Sequence, residues 1–187
     1  MVGFFKIQTM GYTATFKVCI FGDAGVGKTS LIHRFLTNRF SQDTKLTIGV
    51  DIFSTDLEIE NYKVKLQFWD LGGASRFKMF MPIFARGSSG GIFMYDITRK
   101  SSFTHLGEWI SLFKKNAIEE EGQIPILGVG GKKDLFNYRN ISLNNAQCLD
   151  STYNVYDFIE CSAKTGENIE KIFESITHEM LTTLGLI

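Results

Sequence analysis

Phe16-Lys-Val-Cys-Ile-Phe21 leads directly into Gly22-Asp-Ala-Gly-Val-Gly27-Lys28-Thr29, and this in turn into Leu31, Ile32, Phe35 and Leu36. The first run is short and apolar, as a buried strand requires, and the last set recurs at the spacing of one helix face. The stretch between them fits the phosphate-loop pattern, a glycine-rich turn joining a strand to a helix. Glycines allow backbone N–H groups to converge on phosphate oxygens, and the helix N-terminus adds partial positive charge. Lys28 reaches the outer phosphates and the Thr29 hydroxyl is a ligand for Mg²⁺. A cradle of this kind serves kinases, ATPases and GTPases alike, so the base has to be read elsewhere.

Outward from this loop the chain alternates strands and helices. Val50–Ile59 and Val64–Trp69 are rich in β-branched and aromatic residues, and Glu60-Asn-Tyr-Lys63 supplies the turn of a hairpin. Further strands are expected at Gly91–Tyr95, Ile124–Val129 and Tyr156–Glu160, with helices over Ser102–Asn116, Leu143–Tyr153 and Asn168–Leu184. The pattern predicts an α/β domain with a mainly parallel sheet between helix layers, its ligands at the carboxyl ends of the strands. Two such ends carry polar clusters: Gly131-Lys132-Lys133-Asp134 and Cys161-Ser162-Ala163-Lys164.

Composition narrows the function classes. The 187 residues are 44% hydrophobic and 21% charged, an ordinary globular balance for one domain. Twenty basic and twenty acidic residues cancel, which argues against nucleic acid as the main partner. The longest uncharged runs, such as Ile7–Phe16 and Gly122–Gly131, span ten residues, against the roughly 18–20 of a membrane helix. Cys19, Cys148 and Cys161 are odd in number and lack disulfide-framework spacing, as in a cytoplasmic protein. His33, His105 and His178 have no metal-ligand spacing, and the 17 phenylalanines are expected mainly in the core. Asn140-Ile141-Ser142 is read as a plain loop and Met10–Thr15 as coil before the first strand.

From Phe16 to about Leu184 the sequence resembles the Ras superfamily of small GTPases, its Rab branch most closely. The resemblance rests on Gly22–Ser30, Thr47-Ile-Gly-Val-Asp51, Leu66–Asp70, Tyr95-Asp-Ile-Thr98, Lys132-Lys-Asp-Leu135 and Glu160–Asn168. It implies a Ras-like P-loop fold with a six-stranded, mainly parallel sheet, one strand antiparallel, and helices on both faces. The whole chain, 1–187, is then one domain, with 1–15 an N-terminal extension and 16–184 the nucleotide-binding part. It implies binding of GTP or GDP with Mg²⁺ through Asp23, Ala24, Gly25, Val26, Gly27, Lys28, Thr29, Ser30, Phe40, Thr47, Gly73, Lys132, Asp134, Ser162, Ala163 and Lys164. Lys28, Thr47 and Gly73 stand at the reacting phosphate; Thr29 and Thr47 ligate the metal, and Asp70 holds it through water. Phe40 packs on the guanine edge. Asp134 accepts hydrogen bonds from guanine N1–H and its exocyclic amine, which adenine does not offer. Lys132 lays its stem along the base, and the Ala163 N–H donates to guanine O6. Effector, exchange and activating proteins are expected at Thr44–Phe53 and Leu71–Phe84.

Three departures modify this expectation. In Asp70-Leu71-Gly72-Gly73-Ala74 an alanine replaces the family's glutamine, which orients the attacking water, so hydrolysis is expected to be slow. Gly131 stands where the family has the asparagine that bridges base loop and phosphate loop, which predicts weakened binding and fast release. The chain ends Leu184-Gly-Leu-Ile187 without the C-terminal cysteine of a prenylated Rab, so peripheral membrane association is not indicated. Ala74 and Gly131 also suit an alternative, a pseudo-GTPase acting as a scaffold with little or no hydrolysis.

Overall fold

Burial on both sides is what makes the first strand a continuous apolar run. In the computed structural model, which describes residues 13–42, 45–117, 124–143, 146 and 150–187, that run is β1 (Ala14–Phe21). Val18 and Ile20 enter one core while Cys19 and Phe21 enter the other, as the two-residue period of a central parallel strand requires. Strand β1 sits between β3 (Tyr62–Leu71) and β4 (Gly90–Asp96), parallel to both. Beyond β4 come β5 (Ile126–Gly131) and β6 (Asp157–Glu160), also parallel, while β2 (Val50–Ile59) closes the other edge as the antiparallel partner of β3. The order is β2-β3-β1-β4-β5-β6, the expected Ras-like arrangement.

Helices α1 (Lys28–Thr37) and α6 (Ile169–Thr183) cover one face through Leu31, Ile32, Ile172, Phe173 and Ile176. The other face is covered by α4 (Leu106–Ala117) through Trp109, Ile110 and Phe113, with short helices α2 (Met81–Phe84) and α3 (Lys100–Thr104) beside it. Two 3₁₀ helices, Ser75–Phe80 and Lys133–Tyr138, follow the carboxyl ends of β3 and β5, and α5 (Asp150–Tyr153) precedes β6. No helix among the described residues is long and apolar enough to cross a membrane. Residues 1–12 of the expected extension, Thr44, Cys148 and part of the expected helix Leu143–Tyr153 lie outside the described residues.

Strand β2 has the expected limits, but β3 is longer at both ends than Val64–Trp69. Tyr62 pairs with Ile59 and Lys63 with Glu58, so the turn contracts to Glu60-Asn61, with Glu60 at φ 54°. The expected helix Ser102–Asn116 is two helices, because the chain turns at His105 (φ −82°, ψ 1°). Pro125 has no N–H to give, yet its carbonyl accepts from Gly91 N–H (2.9 Å), so β5 begins only at Ile126 and runs on to Gly131.

Phe173 ties this core together, its ring 4.1 Å from Phe35 of α1 and 4.8 Å from Phe68 of β3. Phe173→Ala is expected to cost about 3–5 kcal/mol of stability by urea unfolding. A loss below about 1 kcal/mol would mean that the two layers are not held by this contact.

Candidate functional site

Tight approach to β4 dictates the conformation of the loop between β1 and α1. Gly22 lies at φ 136°, and a Cβ placed on it would fall 2.1 Å from the Met94 carbonyl oxygen. Gly27, the N-cap of α1, lies at φ 108° and offers no side chain to the first turn, leaving the helix N–H groups open to an anion. Lys28 is 5% exposed, and its Nζ donates to the carbonyls of Gly22 and Asp23, both at 3.0 Å. Burial pulls its pKa down to about 8, against the opposing pull of Asp70 and Asp23.

Next to this lysine, three oxygens converge from three separate elements. Asp70 sits near the end of β3, Thr29 in the first turn of α1, and Thr47 in the segment before β2. Thr29 Oγ1 donates to Asp70 Oδ2 at 2.5 Å and lies 2.9 Å from Thr47 Oγ1, which is itself 3.4 Å from Asp70 Oδ2. Asp70 Oδ1 is buried without a hydrogen-bond partner among the described residues. Burial raises the Asp70 pKa, with the Thr29 hydroxyl and Lys28 pulling the other way. Two hydroxyls and one carboxylate with an orphaned oxygen form a hard-oxygen set of the kind Mg²⁺ takes, so the residues present fit that ion.

Above this cluster opens a cleft of about 410 Å³ lined by residues 24–30, Phe40, Thr47, Gly73, Lys132, Asp134, Ala163 and Lys164. At the far end, Asp134 Oδ1 accepts from Ser162 Oγ (2.7 Å), which fixes the carboxylate and leaves its other oxygen available. Ser162 Oγ in turn accepts from Thr165 N–H. Lys132, at φ 66°, places its Nζ 2.6 Å from Asp96 Oδ2. Burial opposes the Asp96 charge, but Lys132 and both Thr98 donors outweigh it and lower the pKa. The Lys132 stem is thereby held along the cleft wall.

Most of the residues read from the sequence thus share one cleft. Asp23, Asp70 and Ser162 do not line it; Ser162 acts through Asp134, Asp70 lies buried behind Thr29, and Asp23 faces α4. There its carboxylate accepts from Trp109 Nε1 and contacts His105 Nδ1, both at 2.9 Å, while Arg99 donates to the Ala24 carbonyl. These loop-to-helix contacts, the Lys132–Asp96 pair and the cleft residue Met94 were outside the expected set, and Arg76 and Phe77, expected on the partner-facing Leu71–Phe84 segment, line the cleft as well. Asp96 lies within Tyr95–Thr98, so its motif was visible though its partner was not.

The departures have structural settings too. Gly72 N–H donates to the Gly49 carbonyl (2.8 Å), and a Cβ on Gly73 would fall 2.3 Å from the Asp23 carbonyl carbon. The segment after Asp70 therefore lies directly on the phosphate loop. Ala74 is the N-cap of the Ser75–Phe80 helix, and its carbonyl accepts from Phe77 N–H. Gly131 is buried, ends β5 and accepts from Ile97 N–H through its carbonyl. Gly73→Ala is expected to lift residues 72–80 from the loop and to speed tryptic cleavage after Arg76 or Lys78 by at least about threefold. Unchanged cleavage would mean that the contact yields without releasing the segment.

Residues 17–182 match the family described as the Ras family. The chain is 36% identical over 169 residues to the GTP-binding protein ypt3 of Schizosaccharomyces pombe, covering 90% of this chain and 77% of that protein. It is 34% identical, over 90% of its length and 76% of theirs, to the Ras-related proteins RGP2 of Oryza sativa subsp. japonica and RABA2d of Arabidopsis thaliana. With its sheet order, loop and cleft, the chain belongs to the Ras family of small GTPases and is Rab-like within it.

Proposed function

We propose that this chain is a guanine-nucleotide switch that holds GTP or GDP with Mg²⁺ in the cleft and hydrolyses GTP slowly. The observation that carries the reading is the meeting of Thr29, Thr47 and Asp70 oxygens beside Lys28, with Asp134 fixed at the other end. The open N–H groups of α1 bind the phosphates, and Lys28 turns from the loop carbonyls to the outer phosphate oxygens. The free oxygen of Asp134 accepts from guanine, and Phe40 and the Lys132 stem bound the base. Thr29 and Thr47, with Asp70 behind them, would hold Mg²⁺, which when bound would supply charge neutralisation at the transferring phosphate.

Gly73, at the point where the chain touches the phosphate loop, is the residue whose N–H would reach the terminal phosphate. Loss of that phosphate would release Thr47 and the Leu71–Phe84 segment together. Exposed Leu46, Ile48, Ile52, Met79 and Ile83 lie on these two segments, and regulators and effectors recognise the order of both there. The free thiols of Cys19 and Cys161 fit a cytoplasmic location. A scaffold that never binds nucleotide would have no use for the buried, half-partnered Asp70.

The Ala74 methyl has neither donor nor acceptor for the attacking water, so water positioning falls to backbone groups and to partners. The intrinsic rate should lie about tenfold to a hundredfold below that of a glutamine-bearing relative. Ala74→Gln should raise single-turnover GTP hydrolysis at least several-fold with little change in GTP affinity, because the glutamine acts mainly in the transition state. Hydrolysis by the unmodified chain at the rate of glutamine-bearing relatives, or no gain in the variant, would contradict the assignment of slow turnover to Ala74.

A further inference from the structure

Met94 of β4 underlies both ends of the phosphate loop. Its carbonyl oxygen occupies the space beside Gly22. Its terminal methyl lies 3.4 Å from where a Cβ on Gly27 would stand, and only 2.6 Å from a Cβ on Gly131. The same Gly131 Cβ would fall 2.9 Å from the Val26 carbonyl oxygen. Strands β4 and β5 set this up, because their parallel register pairs Met94 with Val129 and Asp96 with Gly131. Met94 is 2% exposed, yet its side chain reaches the floor of the nucleotide cleft.

We propose that Met94 is a positioning residue for nucleotide retention. Its thioether end fills the room left by the missing side chain at position 131 and supports Val26 and Gly27 by packing. A methionine suits the role because its three rotatable bonds and polarizable sulfur let it fill an irregular gap. The contact replaces a directional amide bridge with a non-directional one. Gly131 and Met94 are therefore a size-matched pair: a side chain at 131 needs the space of the methyl, and loss of the methyl leaves a void below the loop. It follows that Gly131→Asn alone does not rebuild a bridge, since its Cβ meets the Met94 methyl and the Val26 carbonyl first.

The inference rests on the nucleotide-site reading above. Its test is the release rate of a fluorescent GDP by stopped flow, with the urea midpoint measured in parallel, for the unmodified chain, Met94→Ala, Gly131→Asn, the double variant and Met94→Leu. Met94→Ala and Gly131→Asn should each speed release at least about threefold, since changes at a fixed site act mainly on the off-rate. The double variant should release more slowly than either single variant, and Met94→Leu should stay within about twofold of the unmodified chain. Effects of the two single variants that simply multiply in the double would overturn the inference, as would slower release from Gly131→Asn alone. If Met94→Ala does not fold, Gly131→Ala serves instead: faster release supports the pairing and unchanged release overturns it. An unmodified chain that binds no guanine nucleotide would overturn the nucleotide-site reading and this inference together, whereas binding without coupling overturns the inference alone.

Discussion

A carboxylate near the end of a sheet strand, buried with one oxygen unpaired among the described residues, is the constraint on which the rest of this structure depends. Burying Asp70 is costly unless its charge is answered. The answer comes from hydroxyls on two other segments, Thr29 of α1 and Thr47 before β2, and from nearby Lys28. That arrangement requires β3 to run its full length beside β1, the phosphate loop to turn back tightly against β4, and the Thr47 segment to fold over the sheet. It also leaves Asp70 Oδ1 as a buried acceptor without a partner among the described residues. Fold and site are thus one problem, because the sheet delivers the carboxylate and the loops complete it.

A second set of contacts extends outward from the loop. Asp23 is gripped by Trp109 and His105, and Lys78 lies 4.7 Å over the Trp109 ring and 2.7 Å from Glu108. The phosphate loop and the Ser75–Phe80 helix therefore meet at the same indole, the first at its N–H edge and the second over its face. Any rearrangement of that helix has to break its contacts with α4, next to the residue that steadies Asp23. Together with Gly73 lying on Asp23 and Ala24, this joins the segment after Asp70 to the phosphate loop by two routes.

Legibility in the sequence followed the range of the interactions. The β1-loop-α1 unit was readable because strand, glycines and helix face are consecutive, and β2 was readable to its last residue from its β-branched run. The ends of β3 were not, since Tyr62 and Lys63 look like turn residues until cross-strand pairing with Ile59 and Glu58 recruits them. The helix break at His105 has only Gly107 nearby as a local signal, and it coincides with a bond to Asp23 from across the fold. In the site, Lys28, Thr29, Thr47, Asp70 and Asp134 stood out through their motifs; the structure brings four of them into one cleft and buries Asp70 beneath it, bonded to Thr29. Met94 passed as one more core residue of an apolar strand, because only the parallel pairing of β4 and β5 places it under Gly27 and Gly131.

The central claim, that one cleft reads guanine at Asp134 and a Mg²⁺-bound phosphate at Thr29, Thr47 and Asp70, is tested most directly by equilibrium competition. GDP, GTP and ATP would be titrated against a fluorescent GDP on the unmodified chain, with and without Mg²⁺. The account predicts that GDP and GTP displace the probe, that ATP is weaker by at least about a hundredfold, and that removing Mg²⁺ weakens GTP. Displacement by ATP as effective as by GTP, or guanine-nucleotide affinity indifferent to Mg²⁺, would contradict it.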